Sequence, residues 1–337
     1  MYSSTIRLVF LGALLVATRA FAGAVEVELA PPLSIERMQG AYWNELATSL
    51  AGSEDARDLL TGALVTARPW EAEEPDADRF AHLLARAQRA DPTDPLVWWV
   101  AASQCSPSGL RCEEAQAAAR AHLLRLDPDN ALNWLLEAGR AWEAGAQNEA
   151  YGALAKAAAS GHADDHLIAL TLMVAARIEG HPPPPALLRT TDHDAPNLQG
   201  FALAGGAAVA AAVAIPSWRA LLETCRTTAP PEIDRHCLAV ARLLQGGNSL
   251  LSAHLGYALE RRTLGGADEP AATERRKREL DWMSAQFTRL GDDTEVVASW
   301  LASLRQTGSE QRALQDVLAA RGIPLQPPAN WIGPWTD

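Results

Sequence analysis

The sequence predicts an all-α protein of stacked antiparallel helical hairpins, an α-solenoid followed by a second all-helical half. Three observations predict it. Alanine, leucine, arginine and glutamate dominate the chain, and these are strong helix formers. Apolar residues recur at spacings of three and four, and no stretch alternates branched residues long enough for a sheet. Helix-start residues also return at short intervals, the pattern of hairpins joined by tight turns.

Taken in order, the first residues read as an export signal. Arg7 gives a positive start, Leu8 to Thr18 is apolar, and Ala20-Phe21-Ala22 places small residues where a signal peptidase reads. Cleavage is expected after Ala22; the alternative is an uncleaved N-terminal helix. The apolar run is about half the ~20 residues of a bilayer span, so no stable membrane span remains after cleavage, and a periplasmic or secreted location is expected. No cysteine follows the cleavage site to carry a lipid. Removing residues 1–22 takes away Arg7 and Arg19 and no acid, so 29 basic residues fall to 27 against 41 acids, a net charge of about −14. Such a chain is repelled by nucleic acid, which excludes that class of partner.

Helices are expected over 35–50, 54–67, 77–90, 95–104, 113–126, 131–144, 147–159 and 165–179. After a break they resume over 197–214, 217–227, 232–245, 249–263, 269–290, 293–306 and 310–320. Asp94 before Pro95, and Asn130 before Ala131, are helix caps. Asp292 with Glu295 resembles a capping box; Ser309 opens the last helix and Gly322 closes it. In 113–126, Ala115, Ala118, Ala119, Leu123 and Leu126 share a face with Arg120 and Arg125 off it. His181 and the four prolines 182–185 break the pattern. The expected domains are therefore 23–181, a connector over 182–196, a helical region over 197–322 and a Pro/Trp-rich tail over 323–337. The alanine-rich run 201–215 reads as a tightly packed buried helix rather than a span, because Gly205 and Gly206 add little transfer energy and Pro216 ends it.

The four cysteines fall as two close pairs, Cys105/Cys112 and Cys225/Cys237. An oxidising compartment favours two local disulfides; a metal site is the rival, but the spacings are not those of paired zinc ligands.

Asp91-Pro92-Thr93-Asp94-Pro95-Leu96-Val97-Trp98 returns as Asp127-Pro128-Asp129-Asn130-Ala131-Leu132-Asn133-Trp134. The period is close to the ~34 residues of tetratricopeptide repeats. The second copy resembles that family: Trp134 stands at the first-helix tryptophan, then Ala138, Gly145 at the turn, Ala150 and Ala157. Gly180 hints at a third copy. Glu137 stands where the family prefers leucine, the Cys105–Cys112 loop lengthens the first copy, and the third lacks the closing Asp-Pro. The resemblance covers residues 79–180. It implies that Trp99, Leu132, Leu135 and Trp142 line a concave groove, with His166 a candidate in the third copy. These form a surface for an extended peptide or protein segment, unless a neighbouring helix buries the tryptophans. Tryptophan, at eleven residues, outnumbers tyrosine and phenylalanine together, which fits either use.

Other clusters read as structural. His162-Ala163-Asp164-Asp165-His166 has metal-ligand residue types, but the acids are where a helix start wants negative charge. Asp192-His193-Asp194 is read as a solvated loop, and the run Glu274 to Glu279 as a solvated helix face. The tail, with Pro324, Pro327, Pro328, Trp331 and Trp335, is expected to fold back on the helices or else to dock elsewhere. No metal, cofactor or catalytic residue is assigned. The expected function is a peptide- or protein-binding scaffold of the cell envelope. The alternative is a helical enzyme cutting envelope glycans with two carboxylates roughly 5 to 10 Å apart.

Overall fold

The computed structural model describes residues 34–67, 76–104, 112–188, 197–214, 218–225, 230–264, 271–291 and 293–333. The expected export signal, Cys105, Asp192-His193-Asp194, Asp292 and Trp335 lie outside them. The described residues form helices and no named strand. In order these are α1 (Ile35–Ala51), α2 (Ala56–Ala67), α3 (Ala77–Ala90), α4 (Pro95–Ser103), α5 (Cys112–Leu126), α6 (Ala131–Glu143), α7 (Gln147–Ala158) and α8 (Leu167–Gly180). There follow α9 (Pro185–Leu188), α10 (Leu198–Ala214), α11 (Trp218–Thr224), α12 (Pro231–Gln245), α13 (Leu250–Thr263), α14 (Ala271–Leu290), α15 (Thr294–Thr307) and α16 (Glu310–Ala320). No described helix is long and apolar enough to cross a membrane.

Caps explain most boundaries. The Asp76 and Asn130 side chains accept from Arg79 and Leu132 N–H, starting α3 and α6. Asp293, one residue later than the expected Asp292, accepts from the Glu295 and Val296 N–H groups. Gly322 ends the last helix at φ +66°, a left-handed turn that glycine adopts without a Cβ clash.

The chain divides into two compact units. The first holds described residues up to Val97 and from Leu170 to Val213. The division does not follow the proline run, since residues on both sides of it lie in this unit. Within it α1 packs on α2, and α2 on α3. Their buried stripes are Leu46 and Leu50, then Leu59, Leu60 and Leu64, then Phe80, Leu83 and Ala87. The alanine-rich α10 packs so closely that a Cβ on Gly206 would lie 2.4 Å from the Thr171 carbonyl oxygen of α8. Small residues there let two backbones meet. Phe201 of α10 stacks on Trp43, and the Tyr42 hydroxyl donates to the His181 carbonyl at 3.0 Å.

The second unit holds the described residues from Trp98 to Ala169 and from Ala214 onward. Successive pairs α6/α7, α12/α13 and α15/α16 pack as hairpins, and α7 joins the first two by packing on α12. A Cβ on Gly256 would sit 2.5 Å from the Ala241 carbonyl, so α13 and α12 also meet backbone to backbone. The tail lies against α14: Arg278 donates to the carbonyls of Pro328, Ala329 and Trp331, and the Trp282 indole donates to the Pro324 carbonyl.

On α5 the buried face is rotated from the expected one. Ala119 and Leu123 are buried, but Ala115 and Ala118 are exposed and Arg120 is buried instead. The cause is Glu137 of α6, whose carboxylate takes the Arg120 guanidinium at 2.8 Å. The acid at a position where the family resemblance expects leucine thus brings its own cation inside.

Candidate functional site

The Asp94 cap apart, the geometry below lies in the second unit, and it starts from α6. This helix carries Leu135, Ala138, Gly139 and Trp142 at i, i+3, i+4 and i+7, one continuous stripe. The short helix α11 is seated on that stripe. Ala220 comes within 3.9 Å of where a Gly139 Cβ would be, so the glycine lets α11 approach. Leu221 and Trp218 pack over Leu135 and Ala138, and the Trp142 indole N–H donates to the Glu223 carboxylate at 3.4 Å. Immediately after α11, Cys225 is bonded to Cys237 of α12. Both sulfur-bearing residues are fully buried. The expected partner bond at Cys105 falls outside the described residues.

The five residues expected to line a groove are therefore placed unequally. Trp99 and Leu132 are fully enclosed, Leu135 is 8 % exposed and His166 is 5 % exposed. Trp142 is half-buried at the edge of the α11 seat. The structure brings Leu135 and Trp142 together on one stripe, whereas Trp99 and His166 meet each other, ring edge to face, at 5.1 Å. Sequence reasoning missed Ala138 and Gly139 as face residues and missed α11 as their cover. The spacing from Leu135 to Trp142 carries the first signal; nothing local in residues 218–224 carries the second.

The two tryptophans of the repeated segment are half-buried and similarly used. Trp98 stacks on His122 of α5 at 3.9 Å, and Trp134 lies under the Lys156 ammonium of α7 at 4.3 Å. Each covers the helix that follows its own.

A second constellation is built from helix starts. Asp94, Asn130 and Asp165, spaced 36 and 35 apart, each accept the N–H two residues on, from Leu96, Leu132 and Leu167. All three are buried. From Asn130 onward the turns before α6, α8, α13 and α16 are bonded in a row. Asn130 donates to the Asp164 carbonyl and accepts its N–H, both at 3.0 Å. Asp165 then accepts the hydroxyls of Ser249 and Ser252. Glu310 in turn accepts the Leu250 N–H at 2.7 Å. Burial pushes the Glu310 carboxyl up to about 7; the Leu250 N–H opposes this and the neighbouring Asp165 charge adds to it. Helix N-termini carry partial positive charge, which is why acids gather at these turns.

His166 precedes α8 at φ +56°, a left-handed conformation that is uncommon outside glycine but that histidine adopts more often than most residues. Its ring rests on Trp99, and its buried Nε2 has no partner among the described residues. His162, four residues earlier, lies 3.6 Å from Asp127 instead. The helix starts two residues later than expected, so neither histidine is on its face and the two rings diverge. Among the described residues no three His, Cys, Asp or Glu side chains converge as metal ligands. In the charge run, Glu274, Arg275 and Arg276 are exposed, whereas Lys277 pairs with Asp281 at 2.7 Å and Arg278 clasps the tail. The run is thus half solvated face and half anchor.

No protein-family model, no curated protein and no solved structure matches the chain.

Proposed function

We propose that this chain is an exported, tetratricopeptide-like helical scaffold of the cell envelope that binds a peptide or protein partner. The observation that carries the reading is the α6 stripe Leu135, Ala138, Gly139 and Trp142, which already holds a helical segment from elsewhere in the chain. A face with anchors at i, i+3, i+4 and i+7 and a glycine for close approach is how helices are received in grooves. The recurring caps at Asp94, Asn130 and Asp165 and the matched roles of Trp98 and Trp134 support a repeated hairpin. The Cys225–Cys237 bond supports an oxidising location, as does the signal-like start of the sequence.

The test is site-specific photo-crosslinking in the cell of origin, with a benzophenone side chain at position 142 and, as control, at position 305 on the exposed side of α15. The reading expects a discrete protein adduct from 142 and none from 305. Identical adduct patterns from both positions, or none from 142, would remove it.

A further inference from the structure

We infer that His254, Asp281 and Lys277 form an acid-sensitive latch between α13 and α14, closed while the histidine is neutral and loosened when it takes up a proton. The latch uses none of the α6 residues and does not depend on the scaffold reading.

The geometry is that of one buried carboxylate facing two bases. The Asp281 side chain of α14 is only 7 % exposed. One of its oxygens takes the Lys277 ammonium, a turn earlier on the same helix, at 2.7 Å. The other lies 3.6 Å from Nδ1 of His254, across the seam on α13. That distance is longer than a hydrogen bond, so the ring rests beside the acid without being bonded to it. With His254 neutral, one acid balances one cation and the cluster has no net charge. A proton on the ring puts two cations on a single carboxylate in a place largely closed to water. A buried charge without a full counterion is strongly destabilising.

Asp281 and Lys277 are the charges that act on the ring. On its other side, α12 meets α13 through Ala241 and Gln245, which carry none. Glu260, further along α13, is engaged by Gln245 at 2.6 Å. At the start of α13, Asp165 accepts from Ser249 and Ser252, and Glu310 from the Leu250 N–H. Arg276, next to Lys277, adds positive charge beside Tyr257. Burial pushes His254 below its ordinary 6.5; Asp281 opposes this and Lys277 adds to it.

The sign follows from linkage. A group held lower in the fold than in the unfolded chain contributes fully above pH 6.5, and the contribution is lost as pH falls through the lowered value. Acid therefore weakens the contact that α13 makes with α14. The same α14 carries Arg278 and Trp282, which hold the tail carbonyls, so the proton acts on the helix that supports the tail. Glu310, pushed up to about 7, titrates with the opposite sign, and for that reason the latch is read at its own helix rather than from overall stability.

The test is amide hydrogen exchange of the full-length protein, read by mass spectrometry on peptides covering residues 277–290. It is run at about pH 7.5 and about pH 5, either side of the histidine range, with correction for the intrinsic exchange rate. Three forms are compared: the natural protein, His254→Asn and Lys277→Met. In the natural protein the opening equilibrium of this segment is expected to rise roughly fivefold or more on acidification. His254→Asn has no ring to protonate and is expected to show no such rise. Lys277→Met leaves the histidine as the cation for Asp281, which favours the charged ring, so acid is expected to tighten the seam and lower the exchange. Absence of a rise in the natural protein overturns the inference. So does a rise in either variant equal to the natural one. Where one variant lacks its helical far-ultraviolet signal at pH 7.5, the other decides, because each departs from the natural protein in its own direction.

Discussion

Asp165 and Glu310 show what single residues contribute here. Both are carboxylates held inside at helix starts, yet their partners differ. Asp165 accepts two serine hydroxyls and a backbone N–H, whereas Glu310 receives one backbone N–H while lying near the Asp165 charge. A carboxyl raised to about 7 in the fold, against 4.5 ordinarily, keeps a proton that the unfolded chain releases. Its contribution to stability is therefore present below about pH 4.5 and is lost as pH rises through 7. Replacing Glu310 by Gln keeps an acceptor for Leu250 and removes the titration. The expected outcome is that urea midpoints of the natural protein fall more steeply from pH 5 to pH 8 than those of Glu310→Gln. The difference should be on the order of 1–3 kcal/mol. Parallel pH dependence in the two proteins would contradict the assignment. None of this is visible in sequence, because residues 165, 249 and 310 meet only through tertiary packing.

At the scale of elements, helix positions are legible because caps and periodicity are local. The ranges expected for α3 and α16 match the observed ones, and most others differ by one or two residues. Asn130 and Asp94 cap as their residue types require. Faces are less legible than helices. The α5 face was rotated by an ion pair between Arg120 and Glu137, and hydrophobic spacing is blind to a buried charge that carries its own partner. The charge run 274–279 fails in the same way, since Arg278 reads as solvent-facing until the tail supplies three carbonyl oxygens. That anchoring gives a prediction for the element. Deleting residues 324–337 removes the Trp331 ring from Trp282 and leaves Arg278 without those acceptors. Thermal denaturation should show a lower Tm, by several degrees; an unchanged Tm would mean that the tail contributes nothing to holding α14.

At the scale of the whole molecule, the all-helical class follows from composition and periodicity, and both are properties of the entire chain. One closely approaching helix is legible too, since the alanine-rich run reads as tightly packed and Gly206 sits where a larger residue would strike a neighbouring backbone; Gly256 does the same on α13, but no sequence signal marks it. The α6 stripe was half legible. A family resemblance pointed to Leu135 and Trp142, but it also pointed to Trp99 and Leu132, which the fold encloses. The cover, α11, lies 81 residues in sequence from the tryptophan it bonds, and only a folded chain places it there.

The account turns on α11 being seated along α6 through Gly139 and Ala220. A Cβ at 139 would lie 3.9 Å from that of Ala220, within the ~3.5–4.5 Å that a disulfide requires. The most direct measurement is therefore non-reducing peptide mapping by mass spectrometry of the Gly139→Cys, Ala220→Cys protein. The account predicts a quantitative 139–220 bond alongside an intact Cys225–Cys237 bond. Free thiols at 139 and 220 beside that intact native bond would contradict it.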